Sequence, residues 1–223
     1  MAEFKVFASR QAAAAALAEK IGAALAAALA RRDSASLVVS GGASPLAAYQ
    51  ALRRHDLPWH RVTILPSDER LVPLDHPHSN AGMLRRELLQ EAAAAATLLP
   101  LAAADGSTAV VRLGQFGRPL DLVLLGMGDD GHTASLFPNA PDIAGALDSR
   151  EDLLVQQPPH LQTARVSLTP NLLLDAREIV LLFFGSGKRA VYARALGTGA
   201  TAQLPIRFVL RQQLVPVVTY WAR

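Results

Sequence analysis

The 223-residue chain contains no cysteine. That excludes a disulfide framework, a thiolate metal centre and a cysteine nucleophile. Charge is also scarce: Asp, Glu, Lys and Arg make up 18% of the residues, against about 25% in ordinary globular domains. Lysine is nearly missing, with only Lys5, Lys20 and Lys188 beside 19 arginines. The 22 basic residues exceed the 19 acidic ones only slightly, for a formal charge of +3. They are interleaved with acids, without a run of about five or six. The pI near 9.7 therefore reflects how few groups titrate between neutrality and strong alkali, not a polyanion-binding surface. Nucleic acid is excluded as a partner, while a small anion held by a few cations is not. No apolar run reaches the roughly 18 residues needed to span a bilayer. The longest, Ala12 to Ala30, is interrupted by Glu19-Lys20, and the opening MAEFKVF lacks the basic and apolar regions of a secretory leader. The expectation is a cytoplasmic protein with no membrane partner.

What the chain does have is apolar bulk, with 51% hydrophobic residues, enough to bury a full core and to exclude intrinsic disorder. Apolar runs alternate with helical stretches along the whole length. Strands are expected at Glu3–Phe7, Leu37–Ser40, Val62–Leu65, Leu120–Leu125, Leu153–Gln156, Arg165–Leu168, Ile179–Phe184 and Val217–Tyr220. Helices are expected from a Ser9 cap to about Arg32, from a Ser44 cap followed by Pro45 to about Arg54, from Asn80 to Glu91, and over Gly187–Leu196. The alanine runs at 12–16 and 92–96 fall inside helical patterns. Strands alternating with helices predict a single α/β domain over 1–223, a three-layer α/β/α sandwich with a mainly parallel, Rossmann-like sheet. In such sheets ligands bind at the carboxyl ends of strands, so the loops after Ser40, Leu65, Leu125 and Phe184 matter most.

Four loops there carry polar chemistry. In Ser40-Gly41-Gly42-Ala43-Ser44-Pro45 the glycines let the backbone approach a ligand, and a following helix start offers free N–H groups to an anion. Ser67-Asp68-Glu69-Arg70 brings three charges to a strand end, where each must be solvated, paired or ligand-bound. It reads as part of a polar loop running to Ser79. The neighbouring Asp75-His76-Pro77-His78 lacks the further ligands of a closed metal site, so no metal is expected. The run from Gly126 through Gly128 to Gly131 matches G-x-G-x-x-G literally. However, Asp129-Asp130 sits where a pyrophosphate would lie, and Pro138 and Pro141 do not suit a long helix. A different reading makes Asp130 and His132 a carboxylate–imidazole pair suited to general-base work, with turn N–H groups over 126–131 available to an oxyanion. Ser135, three residues on, carries no mark of an activated nucleophile, and no G-x-S-x-G elbow is present. Gly185-Ser186-Gly187-Lys188 is not a phosphate-binding Walker loop, because Leu182 and Arg189 occupy the diagnostic positions. Its lone lysine is nevertheless a point charge suited to phosphate.

Taken in order, SGGASP at 40–45, PSDERLVPLDHPHSN at 66–80, LGMGDDGHTASLFP at 125–138, RVSLT at 165–169 and GSGK at 185–188 resemble the 6-phosphogluconolactonase family. The likeness runs from about residue 37 to 196. It implies the glucosamine-6-phosphate isomerase-like fold and hydrolysis of 6-phospho-D-glucono-1,5-lactone in the oxidative pentose phosphate pathway, with no cofactor. The partner would be a small phosphorylated sugar lactone, and the protein a monomer or at most a weak homodimer. By this resemblance His132 and Asp130 are catalytic. Arg70, Lys188 and Arg165 would face the phosphate, while Gly41, Gly42, Ser44, Asp68 and Gly128 would line the sugar. The related isomerase/deaminases resemble a G-x-D-G-H-x-A-F-N-E-P pattern, whose glutamate is replaced here by Phe137. Amine loss with aldose–ketose isomerisation needs more proton transfers than opening an activated ester, so the sequence favours the lactonase over a deaminase. The intact Asp130–His132 pair favours it over a non-catalytic sugar-phosphate binder.

Overall fold

A computed structural model describes residues 3–107, 117–138, 140–158 and 161–223. The strands are β1 (Glu3–Phe7), β2 (Ala35–Val39), β3 (Val62–Pro66), β4 (Asp68–Arg70), β5 (Thr97–Leu98), β6 (Leu122–Gly126), β7 (Leu153–Gln156), β8 (Arg165–Leu168), β9 (Ile179–Phe184) and β10 (Val217–Ala222). The helices are α1 (Arg10–Leu29), α2 (Leu46–Leu52), α3 (Asn80–Glu87), α4 (Ile143–Leu147), α5 (Pro170–Leu173), α6 (Ser186–Leu196) and α7 (Arg207–Arg211).

Seven strands form one sheet in the order β1-β10-β9-β6-β2-β3-β5, and every pairing in it is parallel. Parallel strands are buried on both faces, which is why they read as unbroken apolar runs. Alternate residues serve opposite cores. Leu37, Val39, Val180 and Leu182 join α1, α2 and α3 on one face, while Val38, Ile179, Leu181 and Phe183 join α5, α6 and α7 on the other. The three-layer α/β/α architecture follows from that alternation.

Helix α1 starts as expected, with the Ser9 hydroxyl accepting the Ala12 N–H at 3.1 Å. Leu17, Ile21 and Leu25 are fully buried at helical spacing, each contributing about 1.5–3 kcal/mol by leaving water. Against the sequence expectation, this helix is long and apolar enough by length and composition to cross a membrane; half of its apolar window is packed inside the fold.

Three further expectations need correction. Ser44 does not cap α2: Pro45 takes the cap position at φ −86° with no side-chain bond, and Ser44 belongs to the turn before it. Residues 68–70 are not loop but strand β4, in an antiparallel sheet of order β4-β8-β7 lying apart from the main one. The alanines at 92–96 do not extend α3. That helix ends at Glu87, and Glu91–Ala95 forms a 3₁₀ turn entered through Glu91 at φ +53°. Glu91 is held there by Arg53 and Arg54, each with a guanidinium nitrogen 3.0 Å from its carboxylate.

The chain leaves β2 outward through β3 and β5, then returns to place β6 on the other side of β2. The carboxyl ends of β2 and β6 thus flank a switch in strand order, where open α/β sheets bind ligands.

Candidate active site

A cavity of about 300 Å³ opens at that switch point. Its wall takes Gly41, Gly42 and Ser44 from the loop after β2, Asp68 and Arg70 from β4, Gly128 and His132 from the loop after β6, and Lys188 from the first turn of α6. Eight of the ten residues expected from the sequence therefore line one cavity. Asp130 stands behind it, reaching the wall through His132. Arg165 is not in the lining. It pairs in register with Arg70 across the β4–β8 ladder and donates to the Thr163 carbonyl at 3.1 Å. Burial, and next the neighbouring Arg70 charge, lowers the pKa of the Arg165 guanidinium.

The imidazole of His132 is held from below. Its Nδ1 lies 2.6 Å from Asp130 Oδ1, and the same oxygen accepts the His132 backbone N–H at 3.0 Å. Burial opposes the Asp130 charge, but the hydrogen bonds and charge of His132 outweigh it and bring the carboxyl down to about 2. An ionised Asp130 fixes a proton on Nδ1 and leaves Nε2 as the basic nitrogen. The ring also packs against Phe137, with centroids 4.5 Å apart. Gly128 makes this arrangement sterically allowed, because a Cβ there would sit 2.1 Å from His132 Nδ1 and 2.7 Å from Asp130 Oδ1. Its amide is not free for an oxyanion, however. The Gly128 N–H donates to the His132 carbonyl at 2.9 Å and the Gly131 N–H to the Gly128 carbonyl at 3.1 Å. The expectation of turn donors fails for these two, since the turn consumes them.

In the same cavity Arg70 donates through Nη1 to the His78 carbonyl at 2.7 Å, leaving Nη2 without a partner among the described residues. Lys188 has no hydrogen bond or ion pair among the described residues. Asp68 lines the same cavity. It accepts the Ser67 hydroxyl at 3.1 Å on one oxygen and the Ser135 hydroxyl at 2.7 Å on the other.

Sequence reading missed two residues that hold this wall. Glu69 is wholly buried, and its carboxylate accepts the N–H groups of Arg70, Asn80 and Ala81, all at 2.7 Å, and the Ser79 hydroxyl at 3.2 Å. Burial raises its pKa, with the three amides pulling the other way. Asn80, also in the cavity lining, donates to the Asp68 carbonyl at 2.8 Å and presses against Gly41, where a Cβ would come within 2.1 Å of its side-chain oxygen. Read as a strand, Asp-Glu-Arg would have placed Glu69 on the face opposite Asp68 and Arg70, which is where it lies. The group Asp75-His76-His78 is a local knot, with the His78 N–H donating to His76 Nδ1 at 3.1 Å. Among the described residues no three His, Asp or Glu side chains converge as a metal site would require.

Residues 8–221 match the family described as glucosamine-6-phosphate isomerases/6-phosphogluconolactonase. The 6-phosphogluconolactonase of Rhizobium meliloti is 41% identical, with 99% of each chain covered. A crystal structure of a 6-phosphogluconolactonase from Shewanella baltica superposes with a TM-score of 0.96 at 35% identity, covering 100% of this chain and 98% of that one. A monomeric glucosamine-6-phosphate deaminase shares the fold alone, with a TM-score of 0.73 at 16% identity. The chain belongs to the glucosamine-6-phosphate isomerase/6-phosphogluconolactonase family.

Proposed function

We propose that this cavity hydrolyses 6-phospho-D-glucono-1,5-lactone to 6-phospho-D-gluconate, the lactone-opening step of the oxidative pentose phosphate pathway. One observation carries the reading: the Asp130-backed imidazole and two cations, Lys188 and Arg70, line a single cavity. A base alone would suit many hydrolyses, and cations alone would suit a binding protein. Both around one sugar-sized space suit a phosphorylated ester.

His132 Nε2 removes a proton from water as the water oxygen attacks C1 of the lactone. The carbonyl electrons move onto its oxygen and then return, breaking the bond from C1 to the ring oxygen. That oxygen takes the proton back from the imidazolium, and the new carboxylic acid ionises in solvent. Asp130 holds Nδ1–H throughout and so stabilises the cationic ring. General-base help of this kind supplies about 10²–10⁴-fold. Lys188 and Arg70 grip the phosphate, turning remote binding energy into orientation of C1 beside His132. Gly41, Gly42, Ser44 and Asp68 flank the sugar between them. Every step uses groups of this chain and water, so the reading calls for no cofactor. In this reading residues 1–223 act as one domain, in the cytoplasm, on a free small-molecule substrate.

The deaminase alternative is disfavoured by Phe137, whose ring stands where the isomerase pattern has a carboxylate. The test is His132→Ala, assayed above the spontaneous rate of lactone hydrolysis. Turnover should fall about 10²–10⁴-fold while 6-phosphogluconate still binds. Turnover near that of the wild type would remove His132 from the chemistry, and release of ammonia from glucosamine 6-phosphate would overturn the substrate.

A further inference from the structure

The loop that carries His132 continues into a tight turn, with the Leu136 N–H donating to the Thr133 carbonyl at 3.0 Å. Its second residue, Ala134, has φ +49° without being glycine. Such a backbone is strained and persists only where its surroundings over-determine it. The residue after it supplies the determination. Ser135 is fully buried, and each of its polar groups is engaged. Its N–H donates to Ser167 Oγ at 3.1 Å and its hydroxyl to Asp68 Oδ2 at 2.7 Å, and its carbonyl accepts the Gln156 side-chain amide.

These three partners come from β8, β4 and β7, one from every strand of the small antiparallel sheet. The same sheet carries Arg70, on β4. The catalytic turn is thus fixed at one end to the main sheet, through β6 and the bond from Thr133 Oγ1 to the Gly126 carbonyl at 2.8 Å, and at the other to the small sheet. A nucleophilic role for Ser135 is inconsistent with this geometry. Its hydroxyl proton is given to a carboxylate rather than to an imidazole base, and its oxygen has no exposure to a substrate.

We propose that Ser135 is a positioning residue for the hydrolysis: it is the joint through which the three-stranded sheet sets the distance between the His132 imidazole and the phosphate-facing Arg70. The inference rests on the reading of His132 as the base. A ring displaced by about 1 Å from its attack geometry loses about a hundredfold in rate, so a slack joint acts on turnover before it acts on binding.

Two variants of the full chain test it. Ser135→Ala removes the hydroxyl. Gln156→Leu releases the Ser135 carbonyl while leaving Asp68 its two hydroxyl donors, so it separates loosening of the turn from disturbance of Asp68. In both, kcat for 6-phosphogluconolactone should fall about ten- to hundredfold in a protein that still melts cooperatively, at a midpoint lowered by the unpaired buried acceptor, and in Gln156→Leu KM should stay close to wild type. Added to His132→Ala, either change should lower the residual rate no further, because the effect passes through the imidazole. The proposal is overturned if kcat stays at the wild-type value in both variants, if the loss lies in KM alone, or if it persists undiminished in the His132→Ala background. Should Ser135→Ala not fold, Gln156→Leu decides. Full activity in His132→Ala alone would remove the base itself, and the joint with it. Full activity in both joint variants beside a dead His132→Ala would remove the joint only.

Discussion

Asp130 Oδ1 accepts two N–H groups of His132, one from the ring and one from the backbone. A carboxylate bonded at both places fixes the rotation of the imidazole as well as its tautomer. Asp130→Asn keeps the shape but presents a neutral amide, which neither enforces the Nδ1 proton nor stabilises the imidazolium. Turnover should drop about tenfold or more, short of the 10²–10⁴-fold expected for loss of the base. The direction with pH follows from the lowered carboxyl. Its ionised form is favoured in the fold, so the stability it contributes is complete above the ordinary value of 3.8 and fades as pH falls toward about 2. The difference in unfolding free energy between wild type and Asp130→Asn should be flat above 3.8 and close below it, as read by chemical denaturation across the acid range.

Gly128→Ala tests the same pair sterically. The added carbon would sit 2.2 Å from His132 Cε1 as well as 2.1 Å from Nδ1, so the ring must move. Because Gly128 lies at a loop turn rather than in either hydrophobic core, the expected result is a kcat at least about tenfold lower in a protein that still melts cooperatively. A wild-type kcat would show that the ring tolerates displacement.

The same contrast between local and distant contacts decides what could be read from the sequence. Val62–Pro66, Leu122–Gly126 and Ile179–Phe184 announced themselves because both faces of each strand are buried, which writes an apolar run directly into the chain. Asp130 and His132 were legible because two residues and a glycine suffice to build their contact. Strand β4 was not, since three charged residues in a row resemble a solvated loop. It becomes a strand by pairing with β8, more than ninety positions on, while Ser79, Asn80 and Ala81, ten to twelve positions away, wrap the Glu69 carboxylate. The contacts of Ser135 were hidden for the same reason, its partners lying 21, 32 and 67 residues distant.

Glu69→Ala should be the most destabilising single change near the cavity. It would strand the amides of Arg70, Asn80 and Ala81 in a buried site, and each unsatisfied donor costs about 1–3 kcal/mol. Urea unfolding should show a loss of about 3 kcal/mol or more. Glu69→Gln retains one acceptor oxygen and should recover part of that loss. Equal stability of all three proteins would mean that water replaces the carboxylate without penalty.

Lys188 and Arg70 differ in how freely they can meet a phosphate. Arg70 already spends one Nη on the His78 carbonyl, whereas Lys188 is uncommitted among the described residues at the head of α6. Removing the lysine therefore breaks no bond among the described residues, and its cost should appear only when an anion is present. A charge-assisted hydrogen bond contributes about 1.5–3 kcal/mol, so Lys188→Ala should raise KM for the phosphorylated lactone about ten- to a hundredfold. The same variant should treat an unphosphorylated gluconolactone as the wild type does. Losses of equal size on both substrates would place the ammonium at the reacting end of the sugar, and the direction in which the substrate lies across the cavity would have to be reversed.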